Sequence, residues 1–87
     1  MEFIFTKQFN KKYKKLDSKI KKQFKERREI LAAYPKHPLL NIHKLHGEFE
    51  GSFGMNVTAD CRAIFNFSGK DRISFVNIGT HSQLYGK

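Results

Sequence analysis

The residues able to do chemistry gather in the C-terminal third of the chain. Asp60 and Arg62 stand two apart in the run 56–67, and His81 sits in Gly79-Thr-His-Ser-Gln-Leu-Tyr85. Arg62 carries a planar fork of N–H donors that matches phosphate oxygens, and it would stabilise charge building on a phosphorane-like transition state. Asp60 falls on the same face of a regular strand as Arg62, where it would either pair with the guanidinium or orient it. An imidazole with an unperturbed pKa of about 6.5 exchanges a proton near neutrality, which suits His81 to acid–base work. Its alternative role is a ring that hydrogen-bonds the chain end. Lys44 is a second phosphate ligand or else a solvated strand lysine.

Four histidines, His37, His43, His46 and His81, raise the question of a metal. No spacing supports one: His43 and His46 are three apart where opposite facing is expected, and no compact carboxylate set accompanies them. Tyr85 can stack on a base, as exposed rings on basic sheets do for single-stranded RNA. Phe3, Phe5, Phe65, Phe67 and Phe75 are assigned largely to packing. Cys61 has no adjacent base on its own face and reads as a small buried apolar residue.

These residues must be held by strands and helices that the apolar pattern outlines. Met1–Phe5 reads as a strand. Thr6 caps a helix over Lys7–Leu16 with its stripe at Phe9, Tyr13 and Leu16, and Asp17-Ser18 starts a second that ends near Tyr34, before Pro35. Further strands are placed near residues 42–49, 53–58, 62–67 and 72–78, with a hairpin turn at Ser68-Gly-Lys-Asp71. The expected fold is α+β: an N-terminal strand, an antiparallel helix hairpin, then a three- to four-stranded antiparallel sheet packed on the helices. The helices cover one sheet face, which leaves the other for a ligand, with Asn56, Thr58, Asp60 and Arg62 lying on it.

At 87 residues the chain suits one domain spanning 1–87, and nine Phe and three Tyr imply an aromatic core. A single cysteine excludes an internal disulfide, and neither a signal peptide nor a run of about 20 apolar residues is present, so a cytoplasmic protein without a membrane partner is expected. The net charge of +9 is uneven: residues 1–36 hold 12 Lys/Arg against 4 Asp/Glu (+8), and residues 37–87 hold 5 against 4 (+1). That asymmetry predicts a polyanion or an acidic protein as partner, the plainer alternative being a soluble, lysine-rich helix pair.

The order of elements, the basic helices, His37-Pro-Leu39, Leu45-x-Gly47, Asp60-x-Arg62 and above all the ending Gly79-Thr-His-Ser-Gln-Leu-Tyr85 together resemble the RelE/ParE superfamily of toxin–antitoxin toxins, and within it the YafQ-like branch. The resemblance covers nearly the whole chain. It implies a small ribosome-dependent endoribonuclease that cuts mRNA without a metal or other cofactor, by attack of a ribose 2′-hydroxyl on the adjacent phosphate, and an antitoxin protein that blocks it. By position, His81 matches the branch's C-terminal catalytic histidine, Asp60 its strand aspartate, and Arg62 the strand arginine of RelE toxins. His37 falls where the branch has a histidine after the helices. Asn56 stands where the branch has a histidine, Asn77 where it has an arginine, and Cys61 where it has an aromatic residue. The expected site is therefore His81, Arg62 and Asp60 as catalytic residues, with Lys44, His46, Asn56, Asn77, Tyr85 and His37 around the substrate. Two other readings stand beside this one: a non-catalytic ParE-like inhibitor of a protein target such as DNA gyrase, and a degenerate toxin that only binds its antitoxin.

Overall fold

Capping side chains set where the helices begin. The Thr6 hydroxyl accepts from the Phe9 N–H (3.2 Å) to open α1, Lys7–Tyr13, and the Asp17 carboxylate accepts from the Ile20 N–H (3.0 Å) to open α2, Ser18–Ala33. α2 stops at Tyr34, immediately before Pro35, as the ring of a following proline requires. The structure, a computed structural model, describes residues 1–86.

The strands are β1 (Glu2–Phe5), β2 (His43–Lys44), β3 (Phe53–Asn56), β4 (Cys61–Gly69) and β5 (Arg72–Thr80), followed by a short helix α3 (His81–Tyr85). They form one five-stranded sheet in the order β1-β5-β4-β3-β2. The α+β class is as expected from the sequence, and the sheet differs in two respects. β1 joins it in parallel beside β5, with Phe3 opposite Ile73 and Phe5 opposite Phe75. The strand expected over 42–49 shrinks to His43–Lys44, because the chain turns away through a 3₁₀ turn at Gly47–Phe49 with Gly47 at φ +70°.

One face of the sheet is sealed by α1 and α2. Phe9, Phe24, Phe65 and Phe75 are fully buried there, with Phe24 and Phe75 edge-to-face at 5.1 Å and Phe5 stacked on Phe75 at 5.6 Å. Phe67 departs from its core assignment: at 57% exposed it sits on the rim beside Phe53. Arg27 is not a free surface cation, since its Nη1 donates to the carbonyls of Leu39 (2.8 Å) and Asn56 (3.3 Å) and so ties α2 to β3.

The other face is only partly open. α3 and the 3₁₀ turn at Gly47–Phe49 lie over it, and a second small core of Leu45, Ile64 and Leu84, with Val76, Phe49 and Tyr85 packed against it, fills the gap. A register shift between Ile64/Asn77 and Phe65/Phe75 leaves Val76 as an extra residue, a β-bulge in β5.

Candidate functional site

α3 owes its position to its first residues. Thr80 and Gln83 form a reciprocal capping box, the Thr80 hydroxyl accepting from the Gln83 N–H (3.2 Å) and the Gln83 side-chain oxygen from the Thr80 N–H (2.9 Å). Gly79 makes the close approach possible, because a Cβ there would lie 2.8 Å from Gln83 Oε1 and 3.3 Å from its Cβ. The box places His81 and Tyr85 one turn apart on one side of the helix, ring centroids 4.7 Å apart. Tyr85 is held from its other side by Phe49, edge-to-face at 5.9 Å.

His81 and Tyr85 face a cavity of about 640 Å³ whose remaining walls are Arg62 of β4 and the segment Asn41, His43, Lys44, Leu45 and His46. Arg62 points into it because it pairs with Asn56 on β3 and Gly79 on β5, on the sheet face away from Ala63 and the helices. His43 lies opposite Gly54, whose missing side chain lets the imidazole rest against the strand: a Cβ there would be 3.5 Å from His43 Cε1 and Nε2. His43 Nδ1 is 2.9 Å from the carbonyl oxygen of Asn41. A carbonyl can only accept, so Nδ1 carries the proton and, in the neutral ring, Nε2 is left with a lone pair. Asn41 itself is in the left-handed conformation, φ 47°, at the end of the 3₁₀ turn Pro38–Leu40.

The cavity thus assembles Arg62, Lys44 and three imidazoles, with no carboxylate among its walls. Such a lining favours an anion with several oxygens, and the imidazoles can give and take protons beside it. Among the described residues no group of three or more His, Cys, Asp or Glu is arranged to hold a metal ion.

Of the residues singled out in the sequence, His81, Arg62, Lys44, His46 and Tyr85 come together here. The others do not. Asp60 departs from the strand position that alternation predicts, since β3 ends at Asn56 and the chain bends over Val57–Asp60, with the Thr58 hydroxyl accepting from the Asp60 (3.3 Å) and Cys61 (2.9 Å) N–H groups. Its side chain is exposed at the bend and forms no ion pair with Arg62; the ion pairs among the described residues are Met1–Asp71 and Arg72–Glu2. His37 is not among the cavity's walls, its Nδ1 accepting from the Leu39 N–H (3.0 Å) to cap the 3₁₀ turn Pro38–Leu40. Asn56 lies on the Arg62 face without lining the cavity, and its Oδ1 is buried with no hydrogen-bond partner. Asn77 is buried and lines a separate cavity on the far side of α3.

His43 is the residue that sequence reasoning misses. The sequence presents it only as one of four histidines without metal-ligand spacing, and its role as a wall of the cavity depends on Gly54 across the strand pair, a relation invisible without the register. Cys61 is buried as expected, and burial, followed by the neighbouring Asp60 carboxylate, pushes its thiol from the ordinary value of 9.0 up to about 11. A hydrogen bond from the Gly79 backbone and the charge of Arg62 oppose that rise. It remains a thiol at neutral pH, without the nucleophilic thiolate.

The fold is shared with known toxins. YafQ from Escherichia coli strain BL21(DE3) superposes with a TM-score of 0.83 at 20% identity over 98% of both chains. A YoeB/ParE toxin from Agrobacterium tumefaciens gives 0.77 at 19% identity, covering 93% of this chain and 99% of that one. The chain is also similar to the E. coli DinJ–YafQ complex, with a TM-score of 0.75 at 21% identity over 98% of both chains. No curated protein matches it in sequence. The family model described as the bacterial toxin of the type II toxin–antitoxin system, YafQ, matches residues 1–86, and with that match across the described structure the chain belongs to the YafQ toxin family of the RelE/ParE superfamily.

Proposed function

We propose that this toxin is a metal-independent endoribonuclease that cuts mRNA on the ribosome. The observation that carries the reading is the carboxylate-free cavity, where Arg62 and Lys44 can hold a phosphodiester between imidazoles on opposite walls. His43 Nε2 takes the proton of the ribose 2′-hydroxyl, the 2′-oxygen attacks phosphorus, and the bond to the 5′-oxygen of the next nucleotide breaks. His81 gives that leaving oxygen its proton, so the reaction leaves a 2′,3′-cyclic phosphate and a free 5′-hydroxyl. Arg62 faces the charge that builds on the non-bridging oxygens, and Tyr85 offers a face for a neighbouring base. The basic helices would bind ribosomal RNA, and an antitoxin, as in the DinJ–YafQ toxin–antitoxin complex, would be the inhibiting partner.

General acid and base groups contribute about 10²–10⁴-fold each. His81→Ala and His43→Ala should each abolish growth inhibition in cells and lower cleavage by about that factor, with the thermal unfolding midpoint unchanged. RNA ends mapped after induction should fall within translated codons. DNA damage without such cuts would instead support a ParE-like inhibitor of a protein target, and full toxicity of His81→Ala would remove it from the mechanism.

A further inference from the structure

The stripe that α2 turns toward the sheet has a charged member. Phe24 and Leu31 are buried on it, and Arg27 falls between them, three residues after the one and four before the other. An arginine on the core side of a helix must find oxygens for its N–H groups, because a desolvated charge left without hydrogen bonds is costly. Arg27 finds them without a carboxylate. Its Nη1 donates to the carbonyls of Leu39 (2.8 Å) and Asn56 (3.3 Å), and the side-chain oxygen of Gln23, one turn back on α2, accepts from Nε (3.1 Å) and Nη2 (3.0 Å). All three nitrogens of the guanidinium are engaged and its plane is fixed, so the group is committed before any RNA arrives.

The two carbonyls stand behind different walls of the candidate site. Leu39 belongs to the 3₁₀ turn Pro38–Leu40, which packs against both α2 and β3 and runs directly into Asn41 and His43. Asn56 ends β3 and is the cross-strand partner of Arg62. Beyond the two-residue ladder of β2 with β3 and the bond from the Leu45 N–H to the Ser52 carbonyl, the first wall is anchored by Leu40. That residue is fully buried, but an apolar contact is non-directional and fixes depth better than rotation. Rotation matters here, because the Asn41 carbonyl oxygen, 2.9 Å from His43 Nδ1, decides which ring nitrogen keeps the proton.

We propose that Arg27 is a positioning residue of the cavity: by holding the Leu39 and Asn56 carbonyls on one guanidinium, it keeps the wall that carries His43 in register with the wall that carries Arg62. The inference rests on the ribonuclease reading. Arg27 touches neither the phosphate nor the reacting atoms. It sets the angle at which the Asn41 carbonyl meets the His43 ring, and so leaves Nε2 as the bare nitrogen beside the substrate. Gln23 orients the guanidinium for this task.

The test uses the intact toxin and two readouts: cleavage of messenger RNA on programmed ribosomes, resolved into kcat and KM, and the ¹⁵N shifts of the His43 ring at a pH where it is neutral. Arg27→Met keeps the length of the stem and removes every bond. It should lower kcat by about ten- to hundredfold, the usual cost of a small misplacement, and leave KM unchanged. The His43 shifts, which in wild type report a proton on Nδ1, should move to a mixture of the two tautomers. Arg27→Lys keeps the charge but not the planar fork, so it should resemble Arg27→Met; recovery of wild-type kcat by lysine would overturn the clamp. Gln23→Ala, which removes only the orienting oxygen, should show the same two changes at smaller size and carries the test where Arg27→Met does not fold. A raised KM at unchanged kcat would make Arg27 an RNA ligand, and a lowered unfolding midpoint with wild-type kcat and unmoved His43 shifts would make it a fold-stabilising bond alone; either result overturns the proposal. If wild type cleaves no message while the His43 shifts still move in the variants, the ribonuclease reading fails and the clamp stands. Neither cleavage nor a shift would overturn both.

Discussion

Asp60 and Arg62 are two residues apart in sequence, yet only Arg62 reaches the cavity. The difference lies in one hydroxyl. Thr58 accepts from two successive N–H groups and folds the chain into a bend, so the alternation that would place Asp60 beside Arg62 breaks just before β4 begins. An exposed carboxylate without an ion-pair partner adds little to a site it does not touch. Asp60→Asn should therefore lower cleavage by less than about tenfold, whereas Arg62→Ala, which removes the fork facing the phosphate, should lower it by about 10²–10³-fold. Equal losses in the two variants, measured as single-turnover rates, would restore Asp60 to the mechanism.

At the scale of elements, α3 decides whether the site exists, because it is five residues long and brings both His81 and Tyr85 to the cavity. A helix this short has no stability of its own. Its capping box and its contact with Gly79 hold it on the sheet. Gly79→Ala would place a methyl 3.3 Å from Gln83 Cβ and 2.8 Å from Gln83 Oε1, so the side chain must swing away and release the Thr80 N–H. The expected result is a destabilisation of about 1 kcal/mol in denaturant unfolding, the usual worth of a cap, with a disproportionate fall in kcat. A variant with wild-type kcat would show that packing of Leu84 and Tyr85 holds α3 without the capping box. The sequence displays much of this level: the caps at Thr6 and Asp17, the stop before Pro35 and the hairpin at Ser68–Asp71 follow local rules and can be read directly. The ending Gly79-Thr-His is visible as a motif, but not as a helix, since a five-residue segment carries too little periodicity. The shortening of β2 and the parallel docking of β1 follow from long-range packing, which no local pattern encodes.

For the whole molecule, charge and chemistry are on opposite sides of the sheet. α1 and α2 pack on one face with Lys11, Lys14, Lys15, Lys19, Lys22 and Lys25 exposed, while the cavity with Arg62 and the imidazoles opens on the other. The helices therefore cannot hold a phosphate that occupies the cavity. Their charge would act on the affinity and rate of docking to a larger polyanion, an effect that salt screens. Replacing Lys19, Lys22 and Lys25 together by Gln should leave folding stability within about 0.5 kcal/mol, as exposed substitutions do. It should weaken ribosome binding and flatten its dependence on salt by roughly 0.7–0.9 in log–log slope for each phosphate that is no longer neutralised. Cleavage at saturating ribosome concentration should stay at the wild-type rate, because no atom of the cavity has changed. A salt slope equal to that of wild type would mean that the lysine-rich face is solvated surface and that docking depends on the cavity side alone.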